Sequence, residues 1–294
     1  MPECFGGDRG LPVRGGAAAP GAALVESVRI ISDLHLGHRV SRIDRVETLR
    51  PLLAGVETVI FNGDTWQEVS RDLRMKSEEM LGELKAICRE EGCEAIFLPG
   101  NHDPGWDGKG YVELAGGRIV VTHGDALLRA SSPWKREILA GRETVDEIWA
   151  RHPGAEVDVR ERLEVAREIA LALPSEKHTR GRKFWLRALD AVLPPQRAVE
   201  MMKAWVSQGR AGAEFCDRYF PTAEFLLVGH FHWGGKWRVG RRTVINTGSF
   251  LSPGRAFWVD FRDGEVVRGA VEETATECRR GRALDRWIVE APRR

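Results

Sequence analysis

Short apolar runs recur along this chain, and each stops at polar or small residues: VRIISD at 28–33, TVIFNGD at 58–64, AIFLPGN at 95–101, RIVVTHGD at 118–125 and FLLVGH at 225–230. Runs of this length, rich in Val and Ile and bounded by Gly, read as buried strands. Between two of them SEEMLGELKAICREEG carries Met80, Leu84 and Ile87 on one helical face. Strand, helix, strand predicts an α/β sheet covered by helices. A chain of 294 residues is long enough for one large domain or two modest ones.

The texture changes elsewhere. After Phe231, KWRVGRRTVINTGSF and RAFWVDFRDGEVVRGAV, the latter with RDGE as a turn signal, read as antiparallel strands and a hairpin that supply a second sheet. Residues 127–221 are helical in pattern and broken by Pro153, Pro174, Pro194 and Pro195. Apolar stripes run through Trp185, Leu189 and Val192 and through Val199, Met202 and Val206. This block reads as a helical cap inserted into a core made of 27–126 and 222–275. Residues 1–26, dominated by Gly, Ala and Pro, read as a flexible leader, and 276–294 as a charged C-terminal tail.

Composition excludes some functions. A net charge of +1 provides no global field for nucleic acid or an anionic membrane, so a nucleic-acid partner is not expected. Five cysteines form an odd set without a C-x-x-C pair, which favours a reducing, cytoplasmic setting over a disulfide framework or thiolate zinc cage. No apolar run approaches the roughly 20 residues that span a bilayer.

The polar ends of the runs carry the chemistry. Asp33 and His35 end the first, at a spacing that puts both on one side if the strand continues. Asp64 ends the second, and Asn101, His102 and Asp103 follow the third. His123 ends the fourth, and His230 and His232 the fifth. Singly, each is an ordinary turn. Together, in order and all after apolar runs, they point to a metal site where strand ends converge. A carboxylate between two cations offsets their repulsion, and Asp64, central in the set, is the candidate. Mixed nitrogen and oxygen ligation suits Mn, Fe, Zn, Co or Ni better than Ca or Mg. Two such ions lower the pKa of a shared water and clamp phosphoryl oxygens.

The ordered set D-x-H, G-D, G-N-H-D, H-G-D and G-H-x-H, with INTGS at 245–249, resembles the signature of calcineurin-like metallophosphoesterases. The resemblance covers roughly 28–126 and 223–270. It implies a four-layered α/β/β/α sandwich and two divalent transition-metal ions, Mn foremost. One ion would be held by Asp33, His35, Asp64 and His232, the other by Asp64, Asn101, His123 and His230. A hydroxide between them would attack phosphorus in phosphoric esters or pyrophosphates. His102 would stabilise phosphoryl oxygens or protonate the leaving group, and Asp103 would orient His102.

Substrate choice is expected to lie in the cap. EKHTRGRKFWLRALDAVL carries Lys177, Arg180, Arg182, Lys183 and Arg187 without an intervening acid, leading into Phe184 and Trp185. Such a surface could accept a phosphate beside an acyl chain or make peripheral contact with a membrane. The insertion site resembles that of bacterial UDP-2,3-diacylglucosamine hydrolases, although that group carries Arg where this chain has His102. The substrate expected is therefore a phosphorylated small molecule or a nucleotide-linked lipid. Cyclic nucleotides, dinucleoside polyphosphates and phosphoproteins are alternatives within the class. A non-catalytic binding module, with Trp134, Trp149, Trp185 and Trp205 as anchors, is the alternative outside it.

Overall fold

The computed structural model of the protein describes residues 27–174 and 195–289. The first three apolar runs form β1 (Val28–Ile31), β2 (Thr58–Asn62) and β3 (Glu94–Leu98), parallel neighbours in one sheet. The other two form β5 (Ile119–Thr122) and β6 (Phe225–Val228), parallel neighbours in a second sheet, with β4 (Tyr111–Leu114) antiparallel to β5.

The C-terminal strands do not make a sheet of their own. β7 (Gly235–Val239) and β8 (Arg242–Asn246) extend the sheet of β5 and β6. β9 (Phe257–Arg262) pairs instead with the free edge of β1, and β10 (Glu265–Glu273), joined to β9 by the expected Asp-Gly turn, pairs with β9. β11 (Cys278–Ile288) then pairs with β10. The sheet orders are β11-β10-β9-β1-β2-β3 and β4-β5-β6-β8-β7. The tail expected at 276–294 is thus largely a strand. Its exposed Arg279, Arg280, Arg282 and Arg286 explain both its polar sequence and its place, because a charged edge resists further pairing.

Side-chain alternation builds the layers. Val28 and Ile30 of β1, Ile60 of β2, Phe225 and Leu227 of β6 and Ile245 of β8 meet in the core between the sheets. Their neighbours Ile31, Val59 and Phe61 face outward under α1 (Arg50–Leu53) and α2 (Arg74–Glu90), where Met80, Leu84 and Ile87 are buried as the periodicity predicts. Leu226, Val228 and Val244 face the other way, under α5 (Val159–Ala172) and α6 (Pro195–Tyr219). The result is an α/β/β/α sandwich.

The insertion has a small core of its own. α3 (Arg136–Ala140), α4 (Arg142–Arg151) and α5 gather Ile138, Val145, Ile148, Trp149 and Ile169. In α6, Val199, Met202 and Val206 do lie on a helix, but the stripe faces outward and Val206 is 80% exposed. Small residues decide which face of α6 meets the sheet. A Cβ on Gly212 would stand 3.0 Å from Leu226 and Val244, so helix and strand approach closely there. No helix of the described residues is long and apolar enough to cross a membrane.

Candidate metal centre

Both sheets end at one rim. Beyond β1, Asp33 and His35 adopt left-handed backbone, φ 54° and 47°, and beyond β6 His230 and His232 do the same at 66° and 54°. Asp64, after β2, has φ 51°. The i, i+2 pairs are therefore not strand residues sharing a face; left-handed turns aim them. Such a conformation costs an L-residue roughly 1–2 kcal/mol, and it persists where surrounding bonds over-determine it. Here His35 N–H donates to the Asp64 carbonyl at 2.9 Å, Asp33 N–H to Gly63 at 3.1 Å and Phe250 N–H to Asp33 at 3.1 Å. The INTGS segment buttresses the rim from below, with Asn246 Nδ2 donating to the Gly229 carbonyl and Thr247 Oγ1 2.6 Å from Ser32 Oγ.

Two groups of candidate ligand atoms result. In Asp33, His35, Asp64 and His232 they lie within 4.8 Å of one another, and so do those of Asp64, His123 and His230. Asp64 belongs to both. Its Oδ2 stands 3.6 Å from His35 Nε2 and 3.4 Å from His123 Nε2, while Oδ1 accepts the His102 N–H at 2.8 Å. His232 Nε2 is 3.2 Å from Asp33 Oδ1 and also 3.2 Å from His35 Nε2.

The donor set fits cations. His123 Nδ1 donates to the Asn62 carbonyl at 2.9 Å, leaving Nε2 buried with no hydrogen-bond partner. His230 Nε2 donates to the Ser131 carbonyl at 3.1 Å, leaving Nδ1 buried and equally bare. Buried polar atoms rarely go unpartnered, and a ring whose second nitrogen is held by a carbonyl is arranged as a metal ligand is. Burial pushes His35, His102 and His230 well below the usual imidazole value, which favours the neutral ring. Burial alone would raise Asp64, but His123, His102 and His35 outweigh it and hold the carboxyl well below its usual range. Burial likewise opposes the charge on His123, and Asp64 overcomes it.

The loop after β3 differs from expectation in one respect. Asn101 is buried, with Ser132 Oγ donating to its Oδ1 at 3.5 Å. Asp103 does not hold His102. It accepts the backbone N–H groups of Asp64 and Thr65, both at 2.8 Å, that of Gly100 at 3.0 Å and the Trp106 indole at 3.2 Å. Backbone donors at hydrogen-bond distance win over a neighbouring imidazole, and Asp103 ties the Asn101–His102 loop to the Asp64 turn. Burial and the nearby Asp64 charge push its carboxyl up to about 8. His102 Nδ1 faces Gln67 Oε1 at 3.0 Å instead.

Other residues were not legible as site residues. Gln67, Asn62 and the Ser131–Lys135 stretch, whose Trp134 ring packs 5.1 Å from that of His230, carry no motif. Lys135 is half-buried, and burial lowers its pKa while Asp64 acts against that. Lys177, Arg180, Arg182, Lys183 and Arg187 lie outside the described residues, as does Trp185. Of the remaining expected anchors, Trp149 is core, Trp134 covers His230 and Trp205 packs on Trp233.

Two back-to-back sheets with a shared carboxylate between two Asp/His clusters define a candidate dinuclear centre of the metal-dependent hydrolase type. Residues 27–234 match the calcineurin-like phosphoesterase family, and the chain belongs to it. No curated protein matches in sequence. Among solved structures, the chain is similar to a dimetal phosphatase from Danio rerio at 14% identity, over 90% of this chain and 99% of that one, with a TM-score of 0.46. It is similar to Vacuolar Protein Sorting 29 from Cryptosporidium parvum at 12% identity, over 90% and 98%, with a TM-score of 0.43. Likenesses so distant carry no functional argument.

Proposed function

We propose that this protein hydrolyses phosphoric esters or pyrophosphates with two divalent transition-metal ions, Mn foremost. Asp33, His35, Asp64 and His232 would hold one ion, and Asp64, Asn101, His123 and His230 the other. The observation that carries this reading is Asp64 Oδ2 standing between nitrogens of both clusters while His123 Nε2 and His230 Nδ1 lack any other partner. Bound there, the ions would lower the pKa of a water held between them and clamp the phosphoryl oxygens. The chain's own contribution is placement: left-handed turns aim the ligands, carbonyls of Asn62 and Ser131 fix two imidazole tautomers, and Asp103 pins the loop that presents His102.

The substrate we favour is UDP-2,3-diacylglucosamine or a similar nucleotide-linked lipid, met in the cytoplasm at a membrane face. What supports it is apolar surface beside the centre: Trp233, next to His232, is 55% exposed, packs on Trp205 of α6 and adjoins the exposed Val199, Met202 and Val206 helix. Free, buried Cys88, Cys93, Cys216 and Cys278 suit a reducing compartment.

Two measurements test the reading. Elemental analysis should find about two transition-metal ions per chain, and Asp64→Ala should abolish hydrolysis of an aryl phosphodiester while the protein stays folded. Wild-type turnover in Asp64→Ala refutes the centre, and a metal-free protein that binds a partner marks a binding module. Release of no UMP from the lipid substrate, with the aryl ester still cleaved, removes the substrate proposal alone.

A further inference from the structure

The side chain of Gln67 joins two histidines of the site. Its Nε2 is 2.9 Å from His35 Nδ1, and its Oε1 is 3.0 Å from His102 Nδ1. Gln67 is 1% exposed, and its backbone is anchored through Ser77 Oγ, which accepts Gln67 N–H at 2.8 Å and donates to Leu36 O at 2.7 Å. A primary amide offers a donor at one end and an acceptor at the other. Each histidine that touches it must therefore present the opposite kind of atom, and the two rings cannot choose tautomers independently.

His35 Nε2 points at Asp33, Asp64 and His232. With a cation in that cluster, His35 would offer it the Nε2 lone pair, and the ring would keep its proton on Nδ1. That Nδ1–H needs an acceptor, and the only amide atom that accepts is the oxygen. Turning the amide end for end serves both contacts at the same distances, with oxygen on His35 and NH2 on His102. An amide N–H facing His102 Nδ1 makes that nitrogen an acceptor and places the ring's single proton on Nε2.

We propose that Gln67 is a positioning residue that couples cation binding at His35 to the tautomer of His102, holding His102 as a neutral Nε2–H donor. This rests on the metal-centre reading above and goes beyond it, because it separates two roles that His102 could play. A neutral imidazole that gave up its Nε2 proton would become imidazolate. His102 therefore hydrogen-bonds a phosphoryl oxygen and keeps its proton. As the new P–O bond forms and the old one breaks, the leaving oxygen departs with the electron pair and takes its proton from water. Gln67→Glu offers only acceptors, so it lets His102 carry Nδ1–H and Nε2–H together and give the latter to the leaving oxygen.

Imidazole 15N spectra of the full chain, with and without Zn2+, test the coupling directly. Zn2+ alone should move His102 to the Nε2–H tautomer in wild type, and Gln67→Met, which is similar in size and mute in hydrogen bonding, should lose that linkage. Kinetics with Mn2+ test the consequence. Wild-type rates should fall steeply as the leaving group becomes more basic, and Gln67→Glu should narrow the gap between alkyl and 4-nitrophenyl esters by at least about 100-fold, the low side of proton-transfer contributions. The same His102 tautomer in wild type and Gln67→Met, both with Zn2+ bound, overturns the proposal. An equal leaving-group dependence in wild type and Gln67→Glu does so too. Failure of the chain to bind Zn2+ or hydrolyse any ester strikes the metal-centre reading instead.

Discussion

Replacing Asp64 with Asn would remove one charge and little else. Asn tolerates the left-handed backbone found at Asp64, φ 51°, and its side-chain oxygen can accept the His102 N–H that Asp64 Oδ1 now accepts at 2.8 Å. What disappears is the carboxylate common to both clusters. An ion that binds only the folded chain stabilises it by about 2.7 kcal/mol at a free concentration about 100 times Kd. Two such sites contribute about 5 kcal/mol, and at roughly 2–4 °C per kcal/mol that is a Tm rise of roughly 10–20 °C. Asp64→Asn is expected to lose nearly all of the rise. His232→Asn, also in left-handed backbone but in one cluster only, is expected to lose about half. Scanning calorimetry of chelator-stripped protein with and without Mn2+ measures both. An undiminished rise in Asp64→Asn would refute the shared carboxylate.

Burial pushes the Cys88 and Cys216 thiols up to about 12 and Cys278 to about 11, so native protein at pH 8 holds almost no thiolate there. These three are expected to resist a disulfide reagent until denaturant is added; prompt native labelling of any of them, located by mass spectrometry, would contradict the packing. Burial opposes the charge of Asp285, but Lys236 and Arg268 outweigh it and hold the carboxyl below its usual value. The stabilisation from that pairing is present above the ordinary carboxylate value and is lost as pH falls through the folded one. Asp285→Asn should therefore melt lower than wild type at pH 7, and the difference should close toward pH 2.

Much of the site is legible because its residues follow strands that short-range pattern reveals. Asp64, His123 and the His230–His232 pair each sit directly after an apolar run, and the run predicts where the chain stops being strand. The helix bearing Met80, Leu84 and Ile87 is legible for the same reason. Val199, Met202 and Val206 show the limit of periodicity: it identifies a helix and a stripe, but whether anything covers the stripe depends on distant chain. Arg279 to Arg286 read as a tail because a charged edge strand and a solvated tail have the same composition, and only β10 distinguishes them. Adjacency to His102 suggests a partner for Asp103 that the structure does not supply, because its donors are Asp64 and Thr65 of the turn after β2 together with Gly100 and Trp106.

The order of polar groups along the strands and the residues able to bind a cation were determined by the sequence alone, since each apolar run and the motif that ends it are read from neighbours a few residues apart, and the family follows from those motifs taken in order. The tertiary structure decided that three of those strands lie in one sheet and two in the other, that left-handed turns rather than strand pleats aim the ligands, and that Gln67 sits between His35 and His102. Those outcomes depend on which surfaces meet across the sandwich, and such meetings leave no periodicity in a chain to be read.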